Sequence, residues 1–131
     1  MDTAFRIFAE RGYRATRLDD VAAEVGVTKG AIYYYFEGKE DLLRRAVERR
    51  HEAVFAEIAE SLAKERAPAA VKVRLALRKL WQHWLEPGWG HAVRLMVGEV
   101  SLELPELFQR WAEVGPMHAW SLVRELVEEG V

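Results

Sequence analysis

The chain has 131 residues, half of them hydrophobic and 31% charged, with a formal net charge of −2. That composition excludes a disordered chain and allows one or two small domains with real cores. There is no cysteine, no apolar run long enough to span a bilayer and no signal-peptide pattern at the start. Disulfides and thiolate metal sites are thereby excluded, and a soluble cytoplasmic protein is expected.

Every segment reads as helix. Val, Ile and Thr do not gather into alternating runs, so an all-α fold is expected. Thr3–Arg11 predicts a first helix with Ala4, Phe5, Phe8 and Ala9 on one face, stopped by Gly12. Thr16 is the expected N-cap of a second helix, with Asp19 three residues on and Asp19 and Asp20 at the positive end of its dipole. Leu18, Val21, Ala22 and Val25 form its inner side, and Gly26 ends it. Thr28 caps a third helix anchored by Ile32 and Phe36.

Gly38 breaks the pattern, and a long amphipathic helix is expected from Lys39 to Lys64, roughly 39 Å at the usual rise per residue. Its apolar face runs through Leu42, Leu43, Ala46, Val47, Val54, Phe55, Ile58, Ala59 and Leu62. After Pro68 comes a helix with Val73, Leu77, Leu80, Trp81 and Trp84 on one stripe. Glu86-Pro87-Gly88 is a turn signal. Val93, Met96, Val97 and Val100 mark a sixth helix. Pro105 restarts the pattern with Leu107, Phe108, Trp111 and Ala112, Gly115-Pro116 is expected to interrupt it, and a last segment runs to Glu129.

Ala22, Gly26 and Ile32 have the spacing of a helix-turn-helix. A small residue sits where two helices cross, a glycine allows positive φ in the turn, and a branched anchor faces back. In that unit the third helix is the reading helix, and its N-terminal residues approach base edges and phosphates. Lys29 would meet phosphate or a guanine edge, small Gly30 and Ala31 would let the backbone come close, and Thr28 at the helix start is a further DNA-binding candidate. Tyr33 and Tyr34 would bond phosphate and pack on sugars or thymine methyls. Thr16, Arg17 and Lys39, at the starts of flanking helices, would clamp phosphates, and Tyr35 is expected to point inward. Residues 1–50 carry ten Lys or Arg against nine Asp or Glu. DNA affinity would therefore depend on placed charges rather than bulk charge.

The string FAERGYRATRLDDVAAEVGVTKGAIYYYFEGKEDLL resembles the N-terminal pattern of the TetR family of bacterial transcriptional repressors. It includes the Gly12-Tyr13 pair, the threonine before the second helix and the V-T-K-G-x-I-Y-Y-Y-F run. The resemblance implies a DNA-binding domain at 1–46, with its helix-turn-helix at about 17–36, and a partial effector-binding and dimerisation domain at 47–131. It also implies a homodimer on a double-stranded DNA operator, released by a small-molecule effector. Residues 94–111 resemble the sixth and seventh helices of a subgroup with R-L-x-x-x-E and P-E-L patterns. Relatives usually carry a short basic arm before the position of Met1. They also carry two further helices after Glu128-Glu129-Gly130, which supply most of the dimer interface.

All five tryptophans lie between residues 81 and 120. They either fill the core of a thin helical domain or line a pocket. As a group, Trp81, Trp84, Trp89, Met96, Glu99, Phe108, Trp111 and Trp120 point to a pocket for a bulky apolar or aromatic effector or an acyl chain. Arg94, His83, His91 and His118 are further candidate polar groups there. The histidines lack metal-ligand spacing, and no phosphate loop, catalytic triad or paired carboxylate motif is present, so neither a metal, a cofactor nor an enzyme activity is expected. The alternative is a helical interaction protein that keeps this fold without operator specificity.

Overall fold

A computed structural model describes residues 2–130, and these are helical almost throughout, with no strand among them. The order is α1 (Asp2–Arg11), α2 (Leu18–Val25), α3 (Lys29–Tyr35), α4 (Lys39–Lys64), α5 (Ala69–Trp84), α6 (Trp89–Arg94), a π-helical stretch (Leu95–Val100), α7 (Ser101–Glu103), α8 (Pro105–Ala112), a second π-helical stretch (Glu113–Met117) and α9 (His118–Glu129). Among the described residues no helix is long and apolar enough to cross a membrane.

Two apolar clusters organise the chain. The first takes Phe5, Ile7 and Phe8 from α1, Leu18, Val21 and Ala22 from α2 and Ile32 from α3. The N-terminal half of α4 adds Leu42, Leu43, Ala46 and Val47, and Ala92, Leu95, Met96, Val100 and Leu107 complete it from later in the chain. The second cluster joins Ile58 and Leu62 of α4 to Ala76 and Leu80 of α5 and Ala119 and Leu126 of α9. The long helix α4 thus passes through both, and His51, 8% exposed, sits on it between them.

Several faces differ from the expected ones. Ile7 is fully buried, whereas Val25 is exposed at the end of α2. Leu77 and Trp81 of α5 and Val97 of the first π-helical stretch are also exposed, and Ala76 and Leu95 take the inner positions. Helix α2 is capped by Arg17 rather than Thr16: the Arg17 N–H donates to Asp20 Oδ2 at 3.3 Å. Gly115-Pro116 does not break the chain. The helix widens into a π turn over Glu113–Met117 and continues into α9. A wider turn accommodates a proline, which has no N–H to donate and crowds the preceding carbonyl in a regular α-helix.

Candidate nucleic-acid interface

Helices α2 and α3 meet across a short turn. Gly26 has φ 82°, and the N–H groups of Gly26 and Val27 both donate to Ala22 O, at 3.0 and 3.1 Å. This closes the Ala22 carbonyl in the left-handed helix ending that glycine permits. Thr28 opens α3, its hydroxyl accepting from the Ala31 N–H at 3.1 Å. A seven-residue helix does not hold its own shape in water, so tertiary anchoring must supply most of its stability. Ile32, 5% exposed, is its one fully buried side chain, worth roughly 1.5–3 kcal/mol on burial, and half-buried Phe36 packs just beyond the helix end.

The other face of α3 is open. Tyr33 is 52% exposed, Tyr34 83% and Tyr35 66%, and the Tyr34 and Tyr35 rings meet edge to face at 5.2 Å. Tyr35 therefore points outward, against expectation, because Ile32 and Phe36 already occupy the inward positions. Gly30 is exposed, and a Cβ built on it would meet nothing within 4 Å. Nothing inside the protein requires a glycine there.

The charged and hydroxyl groups fall into two sets. Arg17 and Lys29 lie at the surface. Lys29 pairs with Asp19 at 3.1 Å, and that hydrogen-bonded carboxylate holds its ammonium above the ordinary lysine pKa. Exposed pairs of this kind are weak and readily exchanged for another anion.

Thr16 and Lys39 are placed differently from the phosphate clamps expected of them. Thr16 is fully buried and its hydroxyl donates to Gly12 O at 2.7 Å. Lys39 donates through Nζ to Tyr13 O at 2.8 Å and lies 4.2 Å from the centre of the Tyr13 ring. Burial, reinforced by nearby Glu40, raises the pKa of the Tyr13 phenol. Both residues stitch down the turn between α1 and α2 because its carbonyls need donors. A single sequence shows neither this turn's path nor its orphan acceptors.

The eight expected effector residues separate in space. Trp81, Trp84 and Trp120 line one groove of about 440 Å³ between α5 and α9, with Leu77, Val123, Arg74 and Arg78 around them. Trp89 instead stacks edge-on with His83 at 5.2 Å beside a small cleft that also touches Trp84. Met96 is fully buried in the first cluster, and Phe108 and Trp111 pack against that cluster. Glu99 accepts from the backbone N–H of Arg14 at 3.0 Å. These four leave the pocket because Met96, Phe108 and Trp111 belong to the first cluster and Glu99 meets the turn between α1 and α2, which periodicity alone cannot reveal. Among the described residues no group of three or more His, Cys, Asp or Glu side chains could hold a metal ion.

Residues 1–46 match the model of a family described as bacterial regulatory proteins, tetR family. The biofilm operon negative transcriptional regulator IcaR of Staphylococcus epidermidis is 40% identical over 48 residues, 37% of this chain and 26% of that protein. The uncharacterized HTH-type transcriptional regulator YuxN of Bacillus subtilis is 33% identical over 86 residues, 66% of this chain and 29% of that protein. The matched part is thus about a quarter of the length of these relatives. The solved fatty acid degradation regulator FadR of Bacillus halodurans has the same fold, with a TM-score of 0.76 and 24% identity over 98% of this chain and 64% of that one. A TetR-family regulator of Mesorhizobium loti superposes with a TM-score of 0.76 and 20% identity over 97% of this chain and 65% of its own.

Proposed function

We propose that this chain, whose residues 1–46 match the tetR family of bacterial regulatory proteins, is a repressor that binds a palindromic DNA operator and leaves it when a small apolar or aromatic effector binds. The observation that supports this best is the outer face of α3. It spends Lys29, Gly30, Tyr33 and Tyr34 on solvent while Ile32, with Phe36 just beyond the helix end, anchors it inside. Exposed tyrosines, an exposed cation and a glycine with open space above it suit close approach to a sugar–phosphate backbone and base edges.

The reading surface is assigned to Arg17, Thr28, Lys29, Gly30, Ala31, Tyr33 and Tyr34. Tyr35, equally exposed, joins it. Residues 1–46 form the reading unit, and 47–131 belong to the effector and dimer part. As a homodimer in the cytoplasm, the protein would set two α3 helices in successive major grooves, roughly 34–36 Å apart. The effector is assigned to the groove of Trp81, Trp84 and Trp120, whose apolar walls suit an aromatic compound or an acyl chain. The Bacillus halodurans neighbour is named a regulator of fatty acid degradation, which agrees with the second of these. No step of this reading requires catalysis.

Selection of bound sequences from random double-stranded DNA tests the proposal. The expected product is a palindromic site that survives competitor DNA. Recovery of unrelated sequences bound weakly and only at low salt would instead favour a helical interaction protein without operator specificity.

A further inference from the structure

Helix α6, the π-helical stretch and α7 present one stripe to the first cluster: Ala92, Leu95, Met96, Glu99, Val100 and Glu103. Ala92, Leu95, Met96 and Val100 are at most 4% exposed. Carboxylates on a core-facing stripe need partners. Glu99 accepts from the Arg14 N–H at 3.0 Å, and Glu103 pairs with the Arg14 guanidinium. Two glutamates four residues apart on a helix repel, and one arginine engaging the second relieves that repulsion.

The turn that Arg14 belongs to is built to receive Glu99. Gly12 has φ 89°, and a Cβ there would lie 3.3 Å from Glu99 Cδ and nearer still to Oε1. The positive φ at residue 12 favours glycine, and the Glu99 carboxylate lies directly against it. Two of the turn's carbonyls are closed from within the reading unit and α4, Gly12 O by Thr16 and Tyr13 O by Lys39. The Arg14 N–H, like the Arg14 guanidinium, is closed by a residue beyond α5.

We propose that Glu99 is a positioning residue which, by accepting from the Arg14 N–H over the Gly12 turn, fixes the orientation of the α2–α3 unit relative to the effector part of the chain. This rests on the reading of α2–α3 as a DNA-reading unit. The clamp gives a change in the helix that carries Glu99 a direct mechanical route to the residues just before α2, separate from the shared apolar packing.

The test reads the clamp with and without DNA. In the whole chain, the Arg14 amide should exchange with solvent at least about tenfold faster in Glu99→Ala than in wild type, with Val21 and Ala22 amides unchanged. Glu99→Gln, which keeps an oxygen acceptor without the charge, should fall between and serves as the reporter if Glu99→Ala does not fold. Spin labels on cysteines introduced at Ala23 and Glu106, in a chain with no native cysteine, should give a broader distance distribution in Glu99→Ala. Affinity for the selected DNA site should drop about tenfold in the same variant, a loss of the size expected when the binding-competent orientation is one-tenth populated. Unchanged Arg14 exchange, or an unchanged distance distribution, overturns the clamp. A wild-type protein without a specific DNA site would instead overturn the functional reading, leaving exchange and distances to judge Glu99.

Discussion

Gly115 lies against the buried imidazole of His51: a Cβ at residue 115 would stand 2.7 Å from His51 Nε2 and 2.9 Å from Cε1. The second π-helical stretch carries Gly115 there, so the widened turn fits around a side chain of α4. Gly115→Ala should gain up to about 1 kcal/mol of helix propensity but lose roughly 1–3 kcal/mol to overpacking, for a net loss. Urea unfolding measures it. The double variant with His51→Ala should be less destabilised than the two single losses summed, because the clash partner is gone.

His51 also predicts a pH dependence. Burial, reinforced by His83, Arg50 and His118, lowers its pKa from 6.5 to about 4. The unfolded chain then binds the proton more readily than the folded one between those values. The neutral buried imidazole contributes its full stability above pH 6.5, and that stability is lost as pH falls towards 4. The loss is on the order of 3 kcal/mol. His51→Gln, which does not titrate, should show a shallower decline over that window. Parallel declines for the two proteins would mean that the imidazole is solvated in the folded state.

Gly26 and Gly30 separate fold from function. Neither would meet an atom within 4 Å if given a Cβ, but only Gly26 has a positive φ, at 82°. Gly26→Ala should destabilise by about 1–2 kcal/mol, the cost of a left-handed L-residue. Gly30→Ala, in an ordinary helical conformation, should stabilise by about 0.5–1 kcal/mol and still weaken binding to the selected DNA. A stabilised Gly30→Ala that binds DNA as well as wild type would remove α3's N-terminus from the interface.

Boundaries carried by local chemistry were legible in the sequence. Thr28 and Gly38 mark the starts of α3 and α4, and α4 runs from Lys39 to Lys64 as its periodicity requires. What depended on tertiary placement was not. The tyrosine run leaves the phase of α3 ambiguous, so Tyr35 could be assigned to either face. Pro116 reads as a break because the π turn that absorbs it leaves no compositional mark. Thr16 and Lys39 resemble phosphate clamps until Gly12 O and Tyr13 O are seen to need their donors. Glu99 was visible as a polar residue on an apolar stripe, but its partner lies 85 positions away.

The two kinds of α3 contact should respond differently to mutation. Lys29→Ala should weaken all DNA similarly and lower the salt slope by about one unit. Tyr34→Ala, at an 83% exposed site, should leave stability within about 0.5 kcal/mol of wild type yet cost more on the selected site than on random DNA. Lys39→Ala should act chiefly on stability, since its ammonium holds the Tyr13 carbonyl. Filter binding across a salt series, with unfolding curves for each variant, distinguishes the three.

Trp81, Trp84 and Trp120 are 60%, 40% and 71% exposed, and Trp81 and Trp84 meet at 6.4 Å. Three partly exposed indoles around one groove make their emission sensitive to whatever fills it. A groove of about 440 Å³ has the size of a small-ligand site. An apolar ligand that displaces water there should shift tryptophan emission to shorter wavelength and reduce affinity for the selected DNA over the same concentration range. Trp120→Ala removes one wall from an exposed position of α9, so the fold should persist while ligand affinity falls. The reduction in DNA affinity at saturating ligand reports the coupling between the two sites, typically about 1–3 kcal/mol. An emission shift without any change in DNA affinity would make the groove a binding site without a regulatory role. Equal ligand affinity in Trp120→Ala and wild type would move the site to another part of the chain.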